Sequence, residues 1–205
     1  MKRFHSLVPI GLGALLLGGA AGCLLLKPPP PAARFYVLRP VPPAQPLKVE
    51  NAPCLAVAYV KAAAYLRRSG IATRAAAHRL RYAQTHRWAE PIEKGVGRVL
   101  TEDLAMRLGA NQVVGPGYAA APAGCVELHL SIDAFETGPD NAVRFAGSWR
   151  LIDARTRRVL RASAFAFTEQ AVAQPDDFEP VAAALSRAVG LLADRICRDP
   201  ALASP

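Results

Sequence analysis

Between residues 126 and 167 the chain alternates apolar and polar side chains in three successive segments, and this alternation restricts the fold more than any other feature. Val126, Leu128, Leu130 and Ile132 interleave with Glu127, His129, Ser131 and Asp133. Neighbouring side chains of a strand point to opposite faces, so a period of two predicts one buried face and one wet face. Val143, Phe145, Trp149 and Leu151 repeat the pattern, and residues 159–167, with Phe165 and Phe167 on one face, complete a meander. Two segments have the helical period instead. In residues 91–108 a proline opens the segment, Ile92, Val96, Val99, Leu100, Leu104 and Leu108 form one stripe, and Gly109 stops it. In residues 180–196 the stripe is Val181, Leu185, Val189, Leu192 and Ile196, with Asp176 and Asp177 as capping candidates. Shorter extended pieces are expected at 54–60, 71–74, 78–82 and near Val113. Two amphipathic helices beside a largely antiparallel sheet predict a two-layer α+β domain over residues 50–200. At 205 residues and 52% hydrophobic, the chain is long enough for one well-filled core.

The N-terminus has a different character. Lys2, Arg3 and His5 precede an apolar run over residues 7–17, followed by Gly18, Gly19, Ala20, Ala21, Gly22 and Cys23. Such a run is short for a bilayer core of roughly 30 Å, and small residues at the end of it mark a secretory signal. A cysteine directly after them resembles the lipobox of bacterial lipoproteins, although Ala20 stands where leucine is usual. Residues 1–22 are therefore read as a signal peptide and Cys23 as the lipidation site, with a plain signal peptide or an uncleaved anchor as alternatives. Each buried CH₂ of an acyl chain contributes about 0.8 kcal/mol, so several chains hold a protein at a membrane. Leu24 rather than aspartate after the cysteine resembles the sorting signal for the outer membrane, with the domain on the periplasmic face. Residues 23–49 hold Pro28, Pro29, Pro30, Pro31, Pro40, Pro42, Pro43 and Pro46 and read as an extended tether. Inside it, Arg34 to Leu38 is a strand-like run able to dock on a sheet edge.

Catalytic signatures are missing from the sequence. His78, His86 and His129 lack metal-ligand spacing with a cysteine or carboxylate, and there is no Walker loop, dinucleotide fingerprint or G-x-S-x-G. Glu127 and Asp133 share a strand face but stand roughly 20 Å apart, too far for a carboxylate pair. No enzyme, cofactor or metal is expected. Charge is more informative. The formal net charge is +9, and loss of Lys2 and Arg3 with the signal lowers it by two. From Lys61 to Arg87 the chain holds Arg67, Arg68, Arg74, Arg79 and Arg81 with interleaved Tyr65 and Tyr82 and no acid. That stretch is either a solvated face or a surface for an acidic partner or anionic lipid. Nucleic acid would suit the same chemistry, but export argues against it. Arg74, Arg79, Arg81, Arg87 and Trp88 are the candidate partner-binding residues. Trp88, just ahead of the first helix, has a second reading as a staple packed on the first helical turn.

Acylation of Cys23 leaves Cys54, Cys125 and Cys197 in an oxidising compartment. If the meander runs up, down and up, the last helix returns along the sheet and brings Cys197 to the end where Cys125 starts. A Cys125–Cys197 bridge is the expected pairing, with Cys54 as a buried thiol in its strand.

The stretch from Arg79 through Arg87, Trp88, Ala89, Glu90 and Pro91, leading into a helix that ends Leu104, Ala105, Met106, Arg107, Leu108, resembles the central signature of the ABC-type transport auxiliary lipoproteins. These are the PqiC-like lipoproteins that accompany MCE-domain lipid-transport systems. Phe35-Tyr36-x-Leu38, Phe135-Glu136 and Gly147-Ser148-Trp149 extend the likeness, which covers roughly residues 34–196. The resemblance implies an outer-membrane lipoprotein that docks on an MCE-domain protein and supports movement of phospholipid or other hydrophobic molecules, with no catalytic residues. It is compatible with a homo-oligomer. The alternative is a structural or assembly lipoprotein that binds another envelope protein and has no part in transport.

Overall fold

The computed structural model describes residues 31–43, 53–117, 121–122, 124–172 and 177–203, so the signal segment, Cys23, most of the proline-rich stretch and Asp176 lie outside the described residues. The elements are β1 (Arg34–Tyr36), β2 (Leu55–Ala62), β3 (Gly70–Ala76), β4 (Arg79–Trp88), α1 (Ile92–Leu108), β5 (Val113–Val114), β6 (Val126–Thr137), β7 (Ala142–Asp153), β8 (Val159–Gln170), α2 (Glu179–Cys197) and α3 (Pro200–Ala203). Both long helices match their stripes. Pro91 precedes α1, and Gly109, at φ 102°, ends it in a conformation that favours glycine.

The α+β class holds, and the long pairings β6–β7, β7–β8 and β3–β4 are antiparallel. The sheet as a whole is mixed. β2 lies parallel beside β6, from Leu55 opposite Val126 to Ala62 opposite Ile132, and β5 adds to its other edge. Further along the same side of β6, β3 meets it at Thr73 and Thr137 and carries β4 and then β1 outward. Both helices pack on one face, α1 over β2 and α2 over β7 and β8. Between them and the sheet Val99, Leu104, Leu130, Trp149, Leu185 and Leu192 are fully buried. Removing any one such side chain from water contributes roughly 1.5–3 kcal/mol. Phe135, Phe145 and Phe165 stack edge-on across three strands, with ring centres 5.3 and 4.8 Å apart.

Gly147 fixes where the two central strands meet. The pairing of β6 with β7 slips between Ile132 and Ala134, and a Cβ at residue 147 would stand 2.0 Å from the Ser131 carbonyl oxygen. Only glycine permits that approach.

The parallel placement of β2 corrects the expected disulfide. Leu55 and Val126 are partners, so the residues just before them are side by side, and Cys54 is bonded to Cys125 across a Cα–Cα distance of 4.4 Å. Cys197 is the buried free thiol. The meander is as expected, and the chain after α2 does return toward the start of β6, since Ala201 of α3 lines one pocket there with Val126 and Pro53. The overlooked neighbour was β2, which lies next to Cys125 on the other edge of β6.

The boundary of the folded domain also moves. The residues assigned to the tether between Arg34 and Pro43 belong to the domain, with Tyr36 and Leu38 in the core. Proline at 40 and 42 removes two backbone donors and keeps the strand extended. The remaining donors are met by the helices: Arg39 N–H donates to Ser186 Oγ at 3.2 Å and Val41 N–H to Asp103 Oδ1 at 2.7 Å. Arg107 completes this clasp, donating to the Val41 carbonyl at 3.3 Å, the Gly190 carbonyl at 3.2 Å and Asp194 Oδ1 at 2.6 Å.

Candidate functional site

The five partner-binding candidates separate into two groups. Arg74 on β3 forms an ion pair with Glu136, whose side chain is almost wholly buried. Tyr65 adds its hydroxyl, 3.1 Å from Glu136 Oε2 and 2.8 Å from the Asp133 carbonyl. Burial first, and the Glu136 charge second, push the Tyr65 hydroxyl up to about 12. Arg74 therefore neutralises an acid inside the fold while its own side chain stays partly exposed. The placement of Trp88 as a partner contact is corrected. Trp88 is 6% exposed, its ring lies 5.9 Å from that of Phe135, and its backbone N–H donates to the Ser69 carbonyl at 2.7 Å. A large aromatic pointing inward from the end of β4 is core, not surface.

Arg79, Arg81 and Arg87 are exposed on β4. Among the described residues no acid pairs with Arg79 or Arg81. Arg87 Nε donates to the Gln84 carbonyl at 3.3 Å, which holds its side chain along the strand. β4 is bulged here: Gly70 opposes Arg87 while Ala72 opposes Tyr82. Gly70 makes this feasible, because a Cβ there would stand 2.6 Å from the Ala83 carbonyl oxygen. The bulge opens a shallow groove lined by Arg68, Ser69, Tyr82, Gln84 and Arg87, with the Arg68 guanidinium 4.9 Å from the centre of the Tyr82 ring. Two members of this surface were not among the candidates. Arg68 belongs to the same basic stretch, and its stacking on Tyr82 could not be read from spacing. Phe35, 64% exposed on β1, is paired with Arg87 and puts an apolar ring beside the guanidinium groups. The alternation of Phe35 with the buried Tyr36 was the available signal. The remaining basic residues lie elsewhere: Arg67 pairs with Glu93 at 3.2 Å, and Lys61 stands opposite Ser131 on the far side of β2.

A strand carrying exposed guanidinium groups, with an exposed aromatic beside one of them, Arg87, can hold an acidic, partly apolar partner. Among the described residues no group of three or more His, Cys, Asp and Glu converges as a metal ion requires. No helix among them is long and apolar enough to cross a membrane.

Residues 36–197 match the family of the ABC-type transport auxiliary lipoprotein component, and the chain belongs to that family. Two crystal structures have the same fold. One, of an uncharacterized protein, is 19% identical with a TM-score of 0.65 and covers 82% of this chain and 97% of its own. The other, a protein from Xanthomonas campestris of the DUF330 family, is 18% identical with a TM-score of 0.63, covering 80% of this chain and 92% of its own. A comparison with curated proteins gives no match. The family is one of auxiliary components of transport systems anchored as lipoproteins, and that is the class to which the basic surface has to be related.

Proposed function

We propose that the chain is a non-catalytic docking subunit of an MCE-type ABC transport system, anchored by acylated Cys23 to the outer membrane with its domain on the periplasmic face. In this role it binds the system's MCE-domain protein and supports the movement of lipid or another hydrophobic compound between membranes. The observation that carries the reading is the exposed β4 surface, where Arg79 and Arg81 have no acid partner among the described residues. Exposed guanidinium groups along β4, with Phe35 in register with Arg87 at its far end, suit an intermittent contact with an acidic protein face. The Cys54–Cys125 disulfide supports export, since such bonds persist in oxidising compartments.

The test uses the full chain in its membrane. Cross-linking followed by capture should recover the MCE-domain protein with the wild type. The Cys23→Ser variant should lose metabolic palmitate labelling and be released from the membrane fraction. Recovery of an unrelated envelope protein in place of the MCE-domain protein would favour the structural or assembly role. Palmitate labelling that persisted in Cys23→Ser would remove the anchor assignment.

A further inference from the structure

We propose a second site on the sheet face opposite the helices, a pocket for a phosphate-bearing headgroup or small molecule built by Tyr59, Lys61, His129, Ser131, Ser148 and Arg150. The strands dictate its composition. On β6 the buried residues Leu128, Leu130 and Ile132 face the helices, so His129 and Ser131 face away from them. In register with His129 are Tyr59 on β2 and Arg150 on β7. In register with Ser131 are Lys61 on β2 and Ser148 on β7. Directly opposed residues on neighbouring strands have Cβ atoms about 4.5–5.5 Å apart, so these two rows of three form one continuous patch. The six line a pocket of about 230 Å³, large enough for a phosphorylated headgroup and too small for acyl chains.

The chemistry of the patch selects an anion. Lys61 and Arg150 stand at two of its corners, both exposed, and neither makes an ion pair with a described residue. Between them the hydroxyls of Ser131, Ser148 and Tyr59 can donate hydrogen bonds without adding charge. Two acids share this face: exposed Asp133 lies two residues beyond Ser131, and Glu127 is already engaged, with His129 Nε2 2.9 Å and Arg157 Nη1 2.6 Å from its Oε2. Burial pulls the Glu127 carboxyl upward, but those two hydrogen bonds outweigh it and hold the group below the usual carboxylate range. Glu127 thus orients His129, whose ring also meets Tyr59 at 5.9 Å between centres. Two unneutralised cations around a set of preplaced hydroxyls match the several oxygens and the charge of a phosphate group. The pocket is separate from the β4 surface and does not depend on the docking role.

Calorimetry on the full chain in neutral maltoside micelles tests it with two probes, glycerol 3-phosphate in solution and phosphatidylglycerol doped into the micelles. Saturable binding of at least one probe is expected, weakened about tenfold or more in Lys61→Ala/Arg150→Ala, where two charge-assisted hydrogen bonds are lost. Ser148→Ala leaves the net charge unchanged and should weaken binding severalfold. Arg79→Glu/Arg81→Glu, at the distant surface, should change it by no more than about twofold. Binding of glycerol 3-phosphate alone assigns the site to a soluble phosphate compound, and binding of phosphatidylglycerol alone assigns it to a lipid headgroup. No binding of either, unchanged binding in Lys61→Ala/Arg150→Ala, or an equal loss in Arg79→Glu/Arg81→Glu would overturn the site. Both altered positions are exposed, so an unchanged melting temperature is expected and serves as the folding control.

Discussion

Breaking the Cys54–Cys125 bridge with Cys54→Ala/Cys125→Ala should cost the domain a large part of its stability. The bond joins residues 71 apart in sequence. In the chain-entropy model a closed loop of that length restricts the unfolded ensemble by an amount worth about 4.4 kcal/mol at 25 °C. Domains of this kind are stable by only about 5–15 kcal/mol, so the loss is severe. For a chain of this size each 1 kcal/mol moves the melting temperature by roughly 2–4 °C, which predicts a fall of about 9–18 °C. Cys197→Ser supplies the comparison: that thiol lies buried and unbonded at the end of α2, and its replacement leaves the loop closed. Thermal unfolding followed by circular dichroism, with and without a reductant, measures all three proteins. Reductant should lower the wild type to the level of the double variant and leave the double variant unmoved. The reasoning fails if Cys197→Ser abolishes the response to reductant, or if non-reducing peptide mapping recovers Cys125 joined to Cys197.

Two other perturbations test the packing. Gly147→Ala puts a Cβ against the Ser131 carbonyl oxygen and carbonyl carbon, at 2.0 and 3.0 Å, both backbone atoms that cannot rotate away. The strands must separate, at a cost of about 3 kcal/mol, and a melting temperature lowered by less than about 3 °C would contradict the geometry. The clasp on residues 39–43 titrates through Asp103. Burial above all raises its carboxyl to about 6, against the opposing effects of the Val41 N–H and Arg107, and its Oδ2 meets no donor among the described residues. Because the folded pKa lies above the unfolded value, the stabilisation is fully present below about pH 4 and is lost as pH rises through 6. Asp103→Asn should therefore gain stability relative to wild type from pH 4 to 7, by on the order of 2 kcal/mol. A difference that stays constant with pH would show that the carboxyl titrates normally.

The elements legible in the sequence are those whose signal is local. The stripe from Ile92 to Leu108, closed by Gly109, and the alternation through Val126 and Ile132 each repeat within a few residues, and both match the fold. Parallel pairing leaves no such trace. Nothing in the neighbourhood of Cys54 announces that β2 will lie beside β6, and the disulfide followed from that one adjacency. The proline-rich stretch shows the same limit: composition predicts an extended chain, but only the donors of Arg39 and Val41, met by Ser186 and Asp103, make it part of the domain. In the candidate surface, Arg74 and Arg79 look alike in sequence. Their difference lies in Glu136, which comes far later in the chain and is buried beneath Arg74 alone. Trp88 has two readings in the sequence because the expected strand stops at Tyr82, whereas β4 runs on to Trp88 and puts its ring in the core.

The docking role rests most directly on Arg79 and Arg81, and the affinity of Arg79→Glu/Arg81→Glu for the purified MCE-domain protein, titrated from low to high salt, measures it. With wild type the affinity should fall as salt screens the contact, since the Debye length shortens from about 30 Å at 0.01 M to about 8 Å at 0.15 M. The charge-reversed chain should bind at least about tenfold more weakly at low salt. Equal affinity of the two chains, independent of salt, would contradict a docking surface on β4.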